Sequence, residues 1–302
     1  MLEEAIAKIR DDIPGLELRE NEPMSAHCSF RIGGPVRAML LPASAGELIR
    51  ACTLLRDMGI EPLIMGNGTN LLVTDRPLSR IAVKTCDGMG KLECTGNTVT
   101  AGSGVTLAKL AVFAQKNGLT GLEFAHGIPG SLGGAVSMNA GAYGGEMKDV
   151  ISSSVYLDKD CALQTAEGGE HDFSYRHSAF LDSGAVLIES KLSLTPGDPD
   201  EIGEKMRILS EKRRASQPLD RPSAGSTFKR PASGYAAALI ERAGLKGFSI
   251  GGAQVSEKHS GFVINRGGAG FDDVLALMDH IRETVYKAFG IMLEPEVRII
   301  DD

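Results

Sequence analysis

Apolar positions along the chain fall into short blocks whose spacing alternates between the helical and the extended period. The opening MLEEAIAKIRDDI reads as an amphipathic helix. VRAMLL at 36–41 has strand character, and Pro42-Ala43-Ser44 starts a helix over 45–58 that Gly59 ends. Four short runs then predict short strands separated by loops: LIM at 63–65, LLV at 71–73, RIAVK at 80–84 and NTVTA at 97–101. A second helix fits 106–117, stopped by Gly118. Strand-like SSVYLD (153–158) and AVLIESKLSL (185–194) follow. TPGDPDE at 195–201 is the sharpest break and predicts a domain boundary. Beyond it lie a charged helix at 201–214, a helix at 234–243, the strand GFVIN (261–265), a long helix at 271–289 and a last strand, EVRII (296–300). No internal repeat occurs, and the mixture of helix and strand favours an α/β or α+β architecture.

Bulk composition narrows the function classes. At 302 residues, with 42% hydrophobic and 24% charged positions, the chain can bury two or three modest cores as a soluble globular protein. Its net charge of −7 carries no basic stripe of the kind nucleic-acid binding needs. The densest basic run, Arg207 with Lys212, Arg213 and Arg214, is interleaved with Glu204 and Glu211, as in a solvated helix face. The five cysteines (Cys28, Cys52, Cys86, Cys94, Cys161) are scattered, odd in number and without metal-ligand spacing, so reduced thiols in a reducing compartment are expected. The first residues lack the apolar core of a signal peptide, and no run of 18 apolar residues occurs. A cytoplasmic protein with neither a nucleic-acid nor a membrane partner is expected. No heptad or exposed apolar stripe asks for obligate assembly, so a monomer is expected.

The 37 glycines are clustered, which points to tight functional loops. In IMGNGTNLLV (64–73) an apolar strand runs into Gly66-Asn67-Gly68-Thr69-Asn70-Leu71. Glycine and Asn tolerate positive φ, so successive N–H groups can line one concavity and take an anion such as a pyrophosphate. A dinucleotide fingerprint would need a third glycine where Leu71 stands and a helix where LLV continues as strand, so the Rossmann fold is excluded. Alone, this loop fits a structural hairpin equally well. Residues 121–146 are glycine-rich too, yet too dense in Phe, Ile, Val and Met for a linker. There Ile128, Pro129, Gly130 and Ser131 turn the chain, Gly133, Gly134 and Gly141 permit close backbone approach, and Asn139 offers amide hydrogen bonds. Two such loops suggest a long phosphate-containing ligand held between two subdomains.

Ser226-Thr227-Phe228-Lys229 is a literal S-x-x-K, the spacing of an acylated serine beside a lysine. That chemistry places both residues on successive turns of one helix. Pro231 blocks such a helix, Arg230 before it is pushed toward extended conformations, and the companion S-D-N and K-T-G motifs are absent. Ser226 is therefore a candidate acid or a structural loop serine.

Six ordered motifs supply a resemblance that no single one would. They are SFRIGGP (29–35), GNGTNLL (66–72), GIPGSLGGAVSMNAGAYG (127–144), YRHS (175–178), SAGSTFKRP (223–231) and LEPEVRII (293–300). Together, over roughly 27–300, the chain resembles the UDP-N-acetylenolpyruvoylglucosamine reductase (MurB) family of peptidoglycan synthesis. The compact run after Tyr175 is similar to the family's shorter class, without an extra substrate-capping segment. The resemblance implies an α+β protein with an FAD-binding fold of the vanillyl-alcohol oxidase type. The expected division is an N-terminal helix (1–19), FAD-binding subdomains at 20–95 and 96–198, and a C-terminal α+β substrate-binding domain at 199–302. It implies FAD as cofactor, NADPH as hydride donor and UDP-N-acetylglucosamine enolpyruvate as substrate, reduced to UDP-N-acetylmuramate. Another FAD-linked oxidase or dehydrogenase of the same cofactor fold, or a catalytically silent nucleotide-binding relative, would keep the two glycine loops.

By the resemblance, Ser226 is the proton donor, Arg176 the catalytic arginine and Glu296 the catalytic glutamate, with Glu294 as rival. Alternation in a strand would put Glu296 and Arg298 on one face and Val297 and Ile299 on the other. Candidates for binding the sugar nucleotide are Tyr175, Arg214, Lys229 and Arg230. Many family members carry Asn where Arg230 stands, and Asn-Thr where His27-Cys28 stand. His126 and His177 are read as neighbours of the site rather than as catalytic groups.

Overall fold

The structure is a computed structural model that describes residues 1–85, 87–232 and 234–301. Cys86 of the expected thiols lies outside the described residues. By contact density the chain divides into two compact units. The first is Met1–Glu20, Ala38–Asn67 and Arg80–Lys212; the second is Asn21–Arg37, Gly68–Ser79 and Arg213–Asp302.

Two sheets organise the first unit. One is four-stranded, in the order Glu17–Pro23, Pro35–Leu41, Leu78–Lys84, Leu63–Met65. The ends of its first three strands belong to the second unit. Helices α1 (Leu2–Asp12) and α2 (Ala45–Asp57) cover it. Ile6, Ile9, Leu48, Leu55, Ile81 and Val83 form that core. Ser44 starts α2 because its hydroxyl accepts the Glu47 N–H at 3.2 Å, satisfying one of the donors a helix start leaves open.

The other sheet is five-stranded and antiparallel, in the order Leu163–Glu167, Ile151–Leu157, Val186–Ser193, Thr98–Gly102, Leu92–Thr95. Helices α3 (Leu107–Lys116), α4 (Leu132–Ser137) and α5 (Pro199–Ser216) contribute to its core, α5 through only two buried side chains, Ile202 and Met206. The Asp198 carboxylate begins α5 by accepting the N–H groups of Asp200 and Glu201.

In the second unit, α6 (Ala236–Arg242) and α7 (Phe271–Phe289) pack with the sheet Ser249–Ile250, Ala253–Val255, Val263–Asn265. Phe30, Ile32, Leu72, Phe228 and Val297 join their core. A separate two-stranded parallel pair joins Leu71–Val73 to Arg298–Ile300.

The periodicity located most elements within two residues. It missed α4, because Gly133 and Gly134 disfavour a helix in isolation. Tertiary contact overrides that propensity: a Cβ on Gly133 would sit 2.9 Å from the Cβ of Ser103, so glycine lets this turn pack closely. The last strand begins at Arg298, not at 296. Val297 is buried while Ile299 is exposed, so the expected alternation fails. The backbone partner changes here: the Glu296 N–H goes to Thr227 and the Arg298 N–H to Asn70.

Candidate active site

The glycine loops meet where the sequence pairs them. A Cβ on Gly66 would meet the Oγ of Ser131, so glycine lets the first loop approach this hydroxyl closely without displacing it. Ser131 opens α4, and Leu132 and Gly133 donate their N–H groups to Val105 and Ser103 at 2.8 and 2.9 Å. The Ser131 and Ser103 hydroxyls are buried and have no protein partner. Buried hydroxyls are normally satisfied, so this junction suits a ligand that brings acceptor oxygens, as the phosphates of FAD would. Ser103 was not singled out from the sequence; its position in AGSGV, between a strand and α3, gave no signal of Gly133 stacked on it.

The side-chain amide of Asn139, expected at the cofactor, is engaged by protein. Its side chain is buried, and both amide protons are used: one goes to Glu146 Oε2 and one to the carbonyl of Ser174, each at 2.9 Å. Its Oδ1 accepts the N–H of Lys148 at 2.9 Å. Gly141 pairs with Glu146 in a short hairpin. Ile128, Pro129 and Gly130 lead into α4, with the Gly130 carbonyl accepting the Leu107 N–H at 2.9 Å. Gly134 is exposed on the first turn of α4.

Arg176 sits in a tight turn. Ser174 and His177 exchange backbone hydrogen bonds at 3.1 and 3.2 Å, which leaves Tyr175 and Arg176 at the tip. Arg176 has φ 56°, the left-handed conformation a turn of this kind demands at its third residue. Its guanidinium carbon lies 5.2 Å from the centre of the exposed Tyr175 ring. His177 faces Asp172 at 3.3 Å, and His126 faces Ser210 at 3.1 Å.

In the second unit, four of the six motifs are tied together. Ser29 donates its N–H to Gly68 at 3.1 Å and its hydroxyl to the Ser223 carbonyl at 2.6 Å. A Cβ on Gly68, at φ 61°, would meet the carbonyl of His27. Thr69 precedes Asn70, whose amide donates to the Glu296 carbonyl at 3.0 Å while its own carbonyl accepts the Arg298 N–H at 2.9 Å. Leu71 starts the parallel strand beside Arg298. Ser226 follows Gly225, at φ 77°, and precedes the buried Thr227. Thr227 joins three segments: its N–H donates to Gly261, its hydroxyl accepts from Val263, and its carbonyl accepts the Glu296 N–H at 2.8 Å.

No helix forms over 223–231, and Phe228 instead bridges Pro295, which removes the helical geometry an S-x-x-K nucleophile requires. Lys229 lies 3.6 Å from the Glu294 carboxylate, Arg230 stacks over Tyr235 at 4.4 Å, and the exposed Arg214 accepts Lys258 on its carbonyl. Glu294 is thus engaged with Lys229 and exposed, whereas Glu296 is half-buried beside Thr227. Two concavities of about 280 and 480 Å³, one lined by Thr74–Arg76 and Phe271–Asp272, the other by α1 and α2, contain none of these residues. Among the described residues no His, Cys, Asp and Glu cluster could hold a metal.

Comparison with known proteins decides the family. Residues 217–300 match the model of the UDP-N-acetylenolpyruvoylglucosamine reductase C-terminal domain, and residues 36–167 match an FAD binding domain. A UDP-N-acetylenolpyruvoylglucosamine reductase of Caldanaerobacter subterraneus is 45% identical over the whole of both chains. The chain belongs to the UDP-N-acetylenolpyruvoylglucosamine reductase family. A family member from Clostridium perfringens is also 45% identical, over 94% of this chain and 93% of its own. The crystal structure of MurB from Thermus caldophilus superposes with a TM-score of 0.81 at 31% identity, over 95% of this chain and 99% of that one. An alkyldihydroxyacetonephosphate synthase, 15% identical, shares the fold over 64% of this chain with a TM-score of 0.50. The fold is α+β with an FAD-binding part of the vanillyl-alcohol oxidase type, and FAD is the cofactor of the family.

Proposed function

We propose that the chain is an oxidoreductase that reduces UDP-N-acetylglucosamine enolpyruvate to UDP-N-acetylmuramate in peptidoglycan synthesis, with Ser226, Arg176 and Glu296 as its catalytic residues. FAD, which the Gly66 and Ser131 loops would hold, would supply hydride-transfer chemistry toward the terminal carbon of the enol ether, with NADPH as the source of reducing equivalents. Negative charge then builds on the adjacent carbon and its carboxylate. Arg176 answers that charge: a guanidinium is always ionised and grips a carboxylate through two parallel N–H donors. Such a preorganised donor is worth about 3 kcal/mol of barrier. The Ser226 hydroxyl delivers the proton to the carbanionic carbon, a donation that runs downhill although serine is a weak acid in water. Glu296 brings a carboxylate to the segment that Thr227 ties to Ser226. The observation that carries the assignment is this tie, the 2.8 Å hydrogen bond from the Glu296 N–H to the carbonyl of the residue after Ser226.

Gly66, Ser131 and Gly133 are assigned to the FAD phosphates, with Asn67, Gly68, Thr69, Asn70 and Leu71 completing the first loop and Ile128, Pro129, Gly130, Gly134 and Gly141 the second. Lys229, Arg230 and Arg214 are assigned to the substrate diphosphate and Tyr175 to the sugar nucleotide. The thiols Cys52, Cys94 and Cys161, free of disulfides, suit a cytoplasmic enzyme, and a monomer is the simplest state for it.

Ser226→Ala tests the assignment by rapid-mixing absorbance. Flavin reduction by NADPH is expected to stay near the wild-type rate, while reoxidation by the enolpyruvyl substrate slows by about 10²–10⁴-fold. Equal loss in both half-reactions would remove Ser226 from the proton path.

A further inference from the structure

The segment that carries Arg176 is held at three points, all within the first unit. At one end, the fully buried His171 contacts Ser154 and the Gly168 carbonyl, and its own carbonyl accepts the Ala179 N–H at 2.8 Å. At the other end, the buried Ser178 hydroxyl donates to the Ser137 carbonyl at 2.8 Å. The third point is the turn itself. The Ser174 carbonyl that closes it by accepting the His177 N–H also accepts Asn139 Nδ2. A non-glycine residue at φ 56° gives up about 1–2 kcal/mol and stays there only where its surroundings fix it.

We infer that Asn139 is a positioning residue for Arg176, its side-chain amide fixing the Ser174–His177 turn so that the guanidinium is held in one place. The inference rests on the role proposed above for Arg176. Both amide protons are spent on Ser174 and Glu146, so neither is left to donate to a cofactor. The second bond ties the turn to the hairpin that carries Glu146, whose carboxylate also pairs with Lys148 at 3.0 Å. Partial burial pushes the Glu146 carboxyl up. That push is outweighed by hydrogen bonds from Lys148 and Asn139 and by the positive charges of Lys148 and Arg176, so it titrates below its ordinary range. Glu146 thus feels the Arg176 charge while gripping the residue that fixes the Arg176 turn. Asn139 itself has φ 42°, a conformation Asn tolerates better than most side chains, which suits it to this position.

Asn139→Asp is the direct test. It keeps the size, the backbone preference and an oxygen for the Lys148 N–H, but turns the two donors into an acceptor facing two acceptors. The holoenzyme variant is expected to keep its bound FAD and its rate of flavin reduction by NADPH. Reoxidation by the enolpyruvyl substrate should slow by about 10²-fold, the usual cost of a misplacement near 1 Å. The His177 amide should exchange with solvent faster than in the wild type. Combined with Arg176→Lys, the slowing should be no greater than for Arg176→Lys alone, because both changes act on one guanidinium. Loss of FAD, equal slowing of both half-reactions or full additivity with Arg176→Lys would overturn the inference. Should Asn139→Asp fail to fold, Glu146→Ala removes one of the two anchors, and no selective slowing of reoxidation in it would overturn the inference as well. A wild-type enzyme whose reduced flavin the sugar nucleotide does not reoxidise would defeat the proposed function itself. Exchange at His177 would then decide the Asn139 tether alone, with unchanged protection overturning it.

Discussion

Gly34 and Gly59 separate two reasons for glycine at the scale of one residue. Gly34, in SFRIGGP, is buried, and a Cβ there would be driven into the backbone carbonyls of Asp75 and Arg76. Gly59 has φ 70° with open space around it. Gly59→Ala is therefore expected to cost about 1–2 kcal/mol of backbone strain. Gly34→Ala should cost more, about 4 kcal/mol, because main chain cannot swing aside as a side-chain end can. Urea unfolding of the two variants, compared by midpoint, checks the order. The sequence marked the glycines of this motif as a group but could not tell which one the fold packs against. It likewise listed Asn139 as a donor without revealing that Glu146 and Ser174 already claim its protons. Ser226, Arg176 and Glu296 were singled out from ordered motifs, whereas the contacts of Ser29, Ser103, Glu146 and Thr227 were not legible, because the partners that matter lie 7 to 194 positions away in the chain.

At the scale of elements, α5 shows how little a charged helix needs to be anchored. It buries two side chains, and its Lys205 lies 3.5 Å from the Glu123 carboxylate. Glu123 is nearly inaccessible and accepts the Thr120 hydroxyl at 2.5 Å and the Gly121 N–H at 2.9 Å. Burial alone would raise its carboxyl. The Thr120 hydroxyl, the backbone N–H groups and Lys205 outweigh this and hold it below the ordinary range. A depressed carboxyl stabilises the fold above its unfolded value of about 4.3, and the contribution disappears as pH falls through the folded value. The wild type is therefore expected to lose thermal stability on acidification below about pH 4.5. Glu123→Gln should be less stable at neutral pH and flatter in that acid range. Differential scanning calorimetry from pH 7 to pH 3 checks this; parallel curves for the two proteins would remove Glu123 from the acid response. Hydrophobic period located α2, α3 and α7 almost to the residue. It missed α4 and misplaced the start of the last strand, where packing on Ser103 and a change of backbone partner decide the outcome.

At the scale of the molecule, the chain visits its two units in turn. Segments 21–37 and 68–79 belong with residues 213 onward, and not with the sequence that surrounds them. No helix among the described residues is long and apolar enough to cross a membrane. FAD bound only by the folded chain stabilises it by mass action, about 2.7 kcal/mol at a hundred times its Kd. Stripping the flavin is therefore expected to lower the thermal midpoint, and adding FAD back should restore it along with the yellow colour. A midpoint indifferent to FAD would contradict the assignment of the Gly66 and Ser131 loops.

The sequence by itself determined the class of fold, the positions of its longer helices and of many of its strands, and the family, because period, turn chemistry and ordered motifs are written locally. It also singled out the glycines and the three side chains proposed as catalytic, whose types suit the chemistry assigned to them. Only the tertiary structure decided which loops meet, as Gly66 meets Ser131. It alone decided that Thr227 joins the Ser226 loop to Glu296, and that Asn139 is spent on the Arg176 turn. The physical reason is the same in each case. A hydrogen bond or a close approach between distant segments depends on where the whole chain has placed them, and no local pattern records that.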